Sequence, residues 1–134
     1  MYEFNAVLKL VEALLDWAKK NNVEEVLVIR LRIGEAVMVD PDHVKRNFQL
    51  LTKGTLIGDA ILQIENEESI VKCKECGYKG RYLSQRYGGG VILSPKCPKC
   101  GGKAEIVQGE EYVIKGIRYY KKGSRLAEET FYDV

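Results

Sequence analysis

The pattern of apolar and polar residues along the chain first predicts a helix over residues 4–21. Apolar side chains recur there every three or four positions, which is the spacing of one helix face. These side chains are Phe4, Val7, Leu8, Val11, Leu14, Leu15 and Ala18. The charged residues lie mostly on the opposite face, so we expect this stripe to pack on a core. Asn21-Asn22 ends the helix, because asparagine tolerates a left-handed turn.

Alternation with a period of two predicts a strand over residues 24–33. Its apolar positions are Leu27, Ile29, Leu31 and Ile33, and Gly34 ends it. Two further stretches, 60–67 and 110–120, have the apolar content of strands. Residues 125–134 show no clear period and are interpreted as a short helix or a loose tail.

A second helix is predicted to begin at Pro41. Asp40 is the candidate N-cap and Pro41 occupies the first helical position, where its missing N–H is tolerated. The apolar face consists of Val44, Phe48 and Leu51, and Gly54 is the expected C-cap.

Four cysteines form two closely spaced pairs between the second and third predicted strands. Cys73 and Cys76 are followed by Gly77, and Cys97 and Cys100 are followed by Gly101 and Gly102. Two such Cys-x-x-Cys turns supply the tetrahedral four-sulfur shell that suits zinc, and a closed shell of this kind is normally structural. Disulfides and redox pairs are the alternatives, but nothing in the sequence indicates secretion.

Together these elements predict an α+β fold. We expect a three-stranded sheet with two helices on one face, plus an inserted four-cysteine, zinc-ribbon-like domain. The predicted α/β domain comprises residues 1–68 and 109–134, and the predicted zinc-binding domain comprises residues 69–108. Reduced cysteines and the absence of a signal sequence or of a long apolar run predict a cytoplasmic protein that does not span a membrane.

Charge is distributed unevenly along the chain, although the formal net charge is only +2. Residues 69–108 contain eight basic and two acidic residues, whereas residues 1–68 contain eight basic and twelve acidic ones. A zinc ion with four thiolates adds about −2, which leaves the whole molecule nearly neutral. Near-neutrality argues against general nucleic-acid affinity and is compatible with a basic module that meets an acidic partner.

No catalytic constellation is recognisable, so the sequence does not predict an enzyme. The one histidine, His43, lies beside Asp42 and is a candidate ligand or base, but a solvated residue at a helix start is the commoner role. Gly88-Gly89-Gly90 lacks the strand–helix context of a phosphate loop and is interpreted as a turn. No nucleophile elbow is present.

Basic and aromatic residues alternate in two places, which is one way to bind single-stranded nucleic acid. The first group is Tyr78, Lys79, Arg81, Tyr82, Arg86 and Tyr87, and the second is Arg118, Tyr119, Tyr120, Lys121 and Lys122. The alternative, which we favour, is that these tyrosines pack a small module that has few other core residues.

The order of the motifs resembles the HypA family of hydrogenase and urease nickel-insertion accessory proteins. The resemblance lies in Ile33-Gly34-Glu35, Val39-Asp40-Pro41, Gly54-Thr55, residues 60–64 and the two cysteine pairs with their glycines. It covers nearly the whole chain. It implies a metallochaperone with a nickel-binding α/β domain and a zinc domain. The partners that it implies are a HypB-type GTPase and the hydrogenase large subunit.

The resemblance also implies a nickel site at the N-terminus. In the family the chain begins Met-His-Glu, and nickel is held by that imidazole together with backbone nitrogens. Here the chain begins Met1-Tyr2-Glu3, so that a phenol replaces the imidazole. Met1, Tyr2 and Glu3 are the candidate nickel-site residues, and we expect weaker nickel binding because tyrosine is a poor nickel ligand at neutral pH.

Three functional hypotheses follow from these residues. The chain is a nickel metallochaperone of the HypA type, a HypA-like zinc protein that has lost nickel and acts as a protein-interaction scaffold, or a zinc-ribbon module that binds nucleic acid. The residue at position 2 separates the first two hypotheses, and salt-dependent retention on single strands separates the third.

Overall fold

The computed structural model describes residues 2–82 and 95–131. The chain divides into two compact units, one of Met1–Leu31, Pro41–Ile64 and Ile114–Val134, and one of Arg32–Asp40 and Glu65–Val113. The domain limits expected from the sequence, at residues 68/69 and 108/109, stay a prediction. None of the helices in the described ranges is both long and apolar enough to cross a membrane.

Helix α1 (Tyr2–Lys20) confirms the first predicted helix. Its stripe is buried as expected, with Val7, Val11, Leu14 and Ala18 at most 3% exposed. Asn22 follows the helix with a left-handed φ of 56°, and the Asn21 side-chain amide donates to the Trp17 carbonyl at 2.8 Å. Asparagine therefore ends the helix in the way its backbone preference predicts.

Helix α2 (Pro41–Thr52) begins at the predicted proline and packs against α1. Val44 and Phe48 of its predicted face are buried, and Leu51 is half-buried. The hydroxyl of Thr52 is buried and donates to the Phe48 carbonyl at 2.8 Å. Gly54 follows with a φ of 80°, a left-handed conformation that glycine adopts without steric cost.

The larger sheet contains four strands rather than the three expected from the sequence. Its order is β2 (Ile61–Glu67), β1 (Val23–Gly34), β6 (Tyr112–Lys121) and β7 (Glu128–Phe131). The additional strand β7 lies within residues 125–134, so the interpretation of that segment as a short helix or a loose tail is wrong over Glu128–Phe131. It pairs antiparallel with β6, with Ile117 opposite Thr130 and Arg118 opposite Glu129.

The second unit contains a smaller antiparallel sheet of order β4 (Lys79–Arg81), β3 (Ile70–Cys73) and β5 (Ala104–Gln108). It also contains a short 3₁₀ turn, Glu35–Val37. Beside that turn two backbone segments lie very close together, because the Ala36 amide donates to the Gly109 carbonyl at 2.9 Å. A Cβ on Gly34 would overlap the Gly109 carbonyl. Glycine at position 34 is therefore a requirement of this packing.

Arg32 of the second unit lies close to several carboxylates. Arg32 lies 3.2 Å from a carboxylate oxygen of Glu65 and within 3.7 Å of oxygens of Glu67 and Glu111. The hydrogen bond that Arg32 donates to the Glu65 carboxylate is the largest influence on the pKa of Arg32 and raises it. These ion pairs link β1, β2 and Glu111 within the second unit.

Candidate metal centre

The four cysteines lie at the ends of short elements of the second unit. Cys73 is the last residue of β3, and its amide donates to the Tyr78 carbonyl at 2.7 Å, which closes the first turn. The Cys97 amide donates to the Gly102 carbonyl at 2.8 Å and closes the second turn in the same way. Each turn contains a glycine with left-handed φ, 79° at Gly77 and 77° at Gly101, which explains the glycine after each pair.

The structure brings the four sulfurs together, with all of them within 4.8 Å of one another. The Cys73 and Cys100 sulfurs are 3.5 Å apart, and the Cys76 and Cys97 sulfurs are 3.6 Å apart. A tetrahedral shell with Zn–S bonds of about 2.3 Å has sulfur–sulfur edges of about 3.8 Å. The cluster therefore fits a zinc ion. Each of the two short distances joins a sulfur of one turn to a sulfur of the other, so both turns contribute to a single shell.

Backbone amides point at the sulfurs of both turns. The amides of Glu75 and Cys76 each lie 3.3 Å from the Cys73 sulfur. The amide of Lys99 lies 3.3 Å and that of Cys100 lies 3.5 Å from the Cys97 sulfur. Donors of this kind stabilise thiolates and orient them, which is the usual task of the groups behind metal ligands.

The thiols influence one another strongly when no cation is bound. The amide of Cys76 is the largest influence on Cys73, and the pKa of that thiol falls to about 6. The amide of Gly102 favours the thiolate of Cys100, but the nearby thiols of Cys73 and Cys76 oppose it and the pKa of Cys100 rises to about 12. Burial works against ionisation of Cys97, yet the amides of Cys100 and Lys99 and the neighbouring thiols lower its pKa overall. A bound zinc ion would offset the repulsion between the sulfurs and allow all four to be thiolates.

Burial differs within each pair. Cys73 and Cys97 are 2% and 3% exposed, whereas Cys76 and Cys100 are exposed. The first cysteine of each turn thus belongs to the interior of the unit, and the second faces solvent. With four sulfur ligands the shell leaves no position for a substrate, so the centre is suited to stabilising a fold and not to catalysis.

Two of the tyrosines considered for nucleic-acid binding, Tyr119 and Tyr78, make side-chain contacts within the protein. Tyr119 is buried, its ring meets that of Trp17 edge-on at 4.8 Å, and its hydroxyl lies 3.3 Å from that of Thr130. Tyr78 is half-buried and its hydroxyl donates to the Arg81 carbonyl at 3.2 Å. Arg86, Tyr87 and Gly88-Gly89-Gly90 lie outside the described residues.

Reasoning from the sequence missed the carboxylates around Arg32. The signal was available, because Arg30 and Arg32 alternate in β1 and Glu65 and Glu67 alternate in β2, the neighbouring strand. Opposite charges at matching period-two positions of adjacent strands predict cross-strand ion pairs.

Comparison with known proteins identifies the family. The profile of the family described as "Hydrogenase/urease nickel incorporation, metallochaperone, hypA" matches residues 1–119. This chain belongs to the HypA family. The resemblance found in the sequence is therefore confirmed, and the chain is related to hydrogenase maturation factors.

Curated HypA proteins match over nearly their full length. The hydrogenase maturation factor HypA of Methanopyrus kandleri is 30% identical over 141 aligned residues, which cover 96% of this chain and 99% of the relative. HypA of Ignicoccus hospitalis is 35% identical, covering 89% of this chain and 96% of the relative. The solution structure of the Ni metallochaperone HypA from Helicobacter pylori has a TM-score of 0.60 and 26% identity, and covers 91% of this chain and all of that one.

The nickel site implied by HypA membership lies at the very start of the chain. The backbone of Tyr2 and Glu3 forms the first residues of α1. Met1 and the side chains of Tyr2 and Glu3 lie outside the described residues. Across residues 2–82 and 95–131, the four cysteines are the one group of three or more Cys, His, Asp or Glu side chains whose ligand atoms converge. The exposed His43, near the start of α2, belongs to no such group.

Proposed function

We propose that this HypA-family chain is a metallochaperone that carries nickel during hydrogenase maturation and is held together by a structural zinc ion. The observation that carries this proposal is the match of the family profile over residues 1–119. The converging sulfurs of Cys73, Cys76, Cys97 and Cys100 support the zinc part. When bound, zinc would offset two of the four thiolate charges and join the two turns.

Nickel is the cargo in this proposal, and Met1, Tyr2 and Glu3 hold it at the N-terminus. The first amides of a helix have no partner within the helix, so the backbone nitrogens at the start of α1 are available as ligands. The phenol of Tyr2 replaces the family's imidazole, and the positive end of the helix dipole opposes a cation at this place. The missing imidazole predicts nickel binding that is weaker than binding by a chain with histidine at position 2, whereas the dipole lowers the affinity of both chains alike.

The test is calorimetric titration of nickel into the zinc-loaded protein, with the zinc content measured independently. We expect weak binding by the natural chain, binding at least about tenfold tighter by Tyr2→His, and loss of binding when extra residues precede Met1. Tyr2→Phe is the matched control, because it removes the phenol oxygen without adding a ligand. Failure of Tyr2→His to bind nickel more tightly would contradict an N-terminal site.

A second candidate function is a zinc-stabilised scaffold that has lost nickel. The observation that favours it is the tyrosine at position 2 in a chain whose described residues converge at one metal centre alone. This hypothesis predicts no heat of nickel binding for the natural chain and recovery of binding in Tyr2→His. Micromolar or tighter binding by the natural chain would exclude it.

The partners and the location belong to the same proposal. HypA membership supports a HypB-type GTPase and the hydrogenase large subunit as partners, and a non-enzymatic role in the cytoplasm, where the four thiols stay reduced. Purified chain passed over each immobilised partner should be retained with its zinc. Absence of retention by both partners would contradict this assignment.

A further inference from the structure

The small sheet of the second unit has two chemically different faces. Val71 and Cys73 alternate with Lys72 along β3 and are at most 2% exposed. One face of the sheet is therefore buried and carries the candidate metal ligand Cys73. Side chains two residues apart lie on the same face of a strand. Lys72 is exposed and therefore marks the opposite, solvent-facing side.

Strand register places four more lysines on that solvent-facing side. Lys79 is the direct cross-strand partner of Lys72. Glu105 is the partner of Lys72 on the other side, and Lys74 reaches Glu105 at 3.6 Å. Lys103 lies two residues before Glu105 and therefore on the same face. The residue opposite Lys103 is Lys96. We define the lysine face as the five exposed lysines of this side: Lys72, Lys74, Lys79, Lys96 and Lys103.

The lysine face contains two like-charge pairs that no structural role explains. Lys72 lies opposite Lys79, and Lys96 lies opposite Lys103. Like charges directly opposite one another in a sheet are destabilising. Within the part of the chain that the structure describes, these four lysines form no ion pair, and residues 83–94 contain no acidic residue. Among the described residues paired in this sheet, Glu105 is the one acidic residue. Its carboxylate lies 3.6 Å from the Lys74 ammonium group.

The one arginine of this sheet differs from the lysines. The Arg81 guanidinium lies 2.8 Å from a carboxylate oxygen of Glu35 and 3.2 Å from one of Glu68. Its charge is therefore offset inside the unit, while the charge of the lysine face remains available to a partner. A surface that keeps repelling charges together against its own stability is typical of a binding surface for the opposite charge.

We infer that the lysine face binds a segment of a partner protein that carries several Asp or Glu side chains. An acidic protein segment fits better than nucleic acid for two reasons. None of the described residues paired in this sheet is aromatic, so the described part of the face offers no ring on which a base can stack. The zinc–thiolate centre and the formal charge of +2 leave the whole chain nearly neutral, which weakens attraction to a continuous phosphate backbone.

This inference goes beyond nickel handling and uses only the zinc-bound fold from the proposed function. Loss of that fold would appear as a lower zinc content, whereas failure of the inference would appear in peptide binding at normal zinc content. The two failures are therefore distinguishable in one set of samples.

The experiment measures binding of a fluorescent polyglutamate peptide to the zinc-loaded full chain by anisotropy, at about 50 mM salt, where charge interactions are only partly screened. We expect Lys72→Glu with Lys79→Glu to weaken binding at least about tenfold. The matched control is Lys45→Glu with Lys53→Glu, which changes the net charge equally at exposed positions of the first unit. The control should change affinity less than about twofold.

A second variant pair and a second probe complete the test. Lys72→Gln with Lys79→Gln removes the charges without reversal, and it should weaken binding by an intermediate factor while one zinc per chain is retained. Oligothymidylate of the same charge should bind no more tightly than the peptide. The inference is overturned by equal losses in face and control variants, by tighter binding of oligothymidylate, or by absence of peptide binding to the natural chain.

Discussion

The two units of this chain are stabilised by different means. In the first unit, helices and strands bury a continuous set of aliphatic side chains, among them Leu14, Ile29 and Phe48. In the described part of Glu65–Val113, the buried apolar side chains are only Val71, Cys73, Pro95 and Cys97, and two of these belong to the four candidate metal ligands. A segment with so small a core requires another source of stability, and a metal ion is the usual one. The comparison teaches that a metal ion bound by the four cysteines would take the place of a hydrophobic core in this part of the chain.

Removal of zinc should produce the largest difference in stability between the two units. Apparent binding free energies of structural zinc in short peptides are about 10–16 kcal/mol, so a strong chelator should unfold the second unit. Hydrogen exchange should then be fast in β3, β4 and β5, while α1 and α2 stay protected. Cys97→Ser should act in the same direction, and Lys99→Ser, an exposed change in the same turn, should keep its zinc. Simultaneous loss of protection in both helices would show that the first unit also depends on the metal.

Truncation of the apolar core should affect the first unit instead. Leu14 is 1% exposed, and Leu14→Ala should lower the free energy of unfolding by about 2–5 kcal/mol. Leu50→Ala is the matched control, because Leu50 is 73% exposed and its truncation should change stability by less than about 0.5 kcal/mol. Urea unfolding followed by helical circular dichroism measures both, and zinc content should stay unchanged. Equal effects of the two variants would disprove the burial difference.

A smaller effect is expected at the close backbone contact of the second unit. Gly34→Ala places a methyl group against the Gly109 carbonyl, and overpacking of this kind costs about 1–3 kcal/mol. The result should be faster zinc release to a chelator. Gly123→Ala is the comparison, because that glycine has a φ of 78° but open space around its Cβ position, and it belongs to the first unit. Its release rate should match that of the natural chain, and an unchanged rate in Gly34→Ala would mean that the contact opens in solution.

Sequence periodicity was sufficient for α1, α2 and β1, because each of these elements faces a core on one side only. The stripe of α1, Pro41 at the start of α2, and the alternation at Ile29, Leu31 and Ile33 all predicted positions that the structure buries or places as expected. Burial imposes a period on the sequence wherever one face of an element meets the interior and the other meets water.

The same reasoning could not find strand β7. The segment Glu128–Phe131 contains two consecutive glutamates and lies at the edge of the sheet, so no alternation of apolar and polar residues marks it. Its partner β6 ends at Lys121 and precedes it directly in the chain, so the two strands form a hairpin that the apolar pattern did not reveal. Edge strands are paired on one side only, and the sequence reflects this weaker constraint.

For the metal centre, spacing predicted the four ligands but not their surroundings. Two residues between cysteines and a following glycine are features of a short turn, which the sequence alone can specify. The amides that lie 3.3 Å from the Cys73 sulfur follow from the turn geometry, whereas the lysine face depends on the register of three strands. Cross-strand register is not encoded locally, so the pairing of Lys72 with Lys79 became visible only in the structure.

Unequal exposure of the sulfurs determines the order in which the centre is open to chemical attack. An oxidant or an alkylating reagent that arrives from solvent meets Cys76 and Cys100, one cysteine of each turn. Cys73 and Cys97 lie behind them, shielded by the interior of the unit. Attack on the folded, metal-bound centre therefore starts at one sulfur per turn, and the two shielded sulfurs become accessible only after the metal is lost and the turns open.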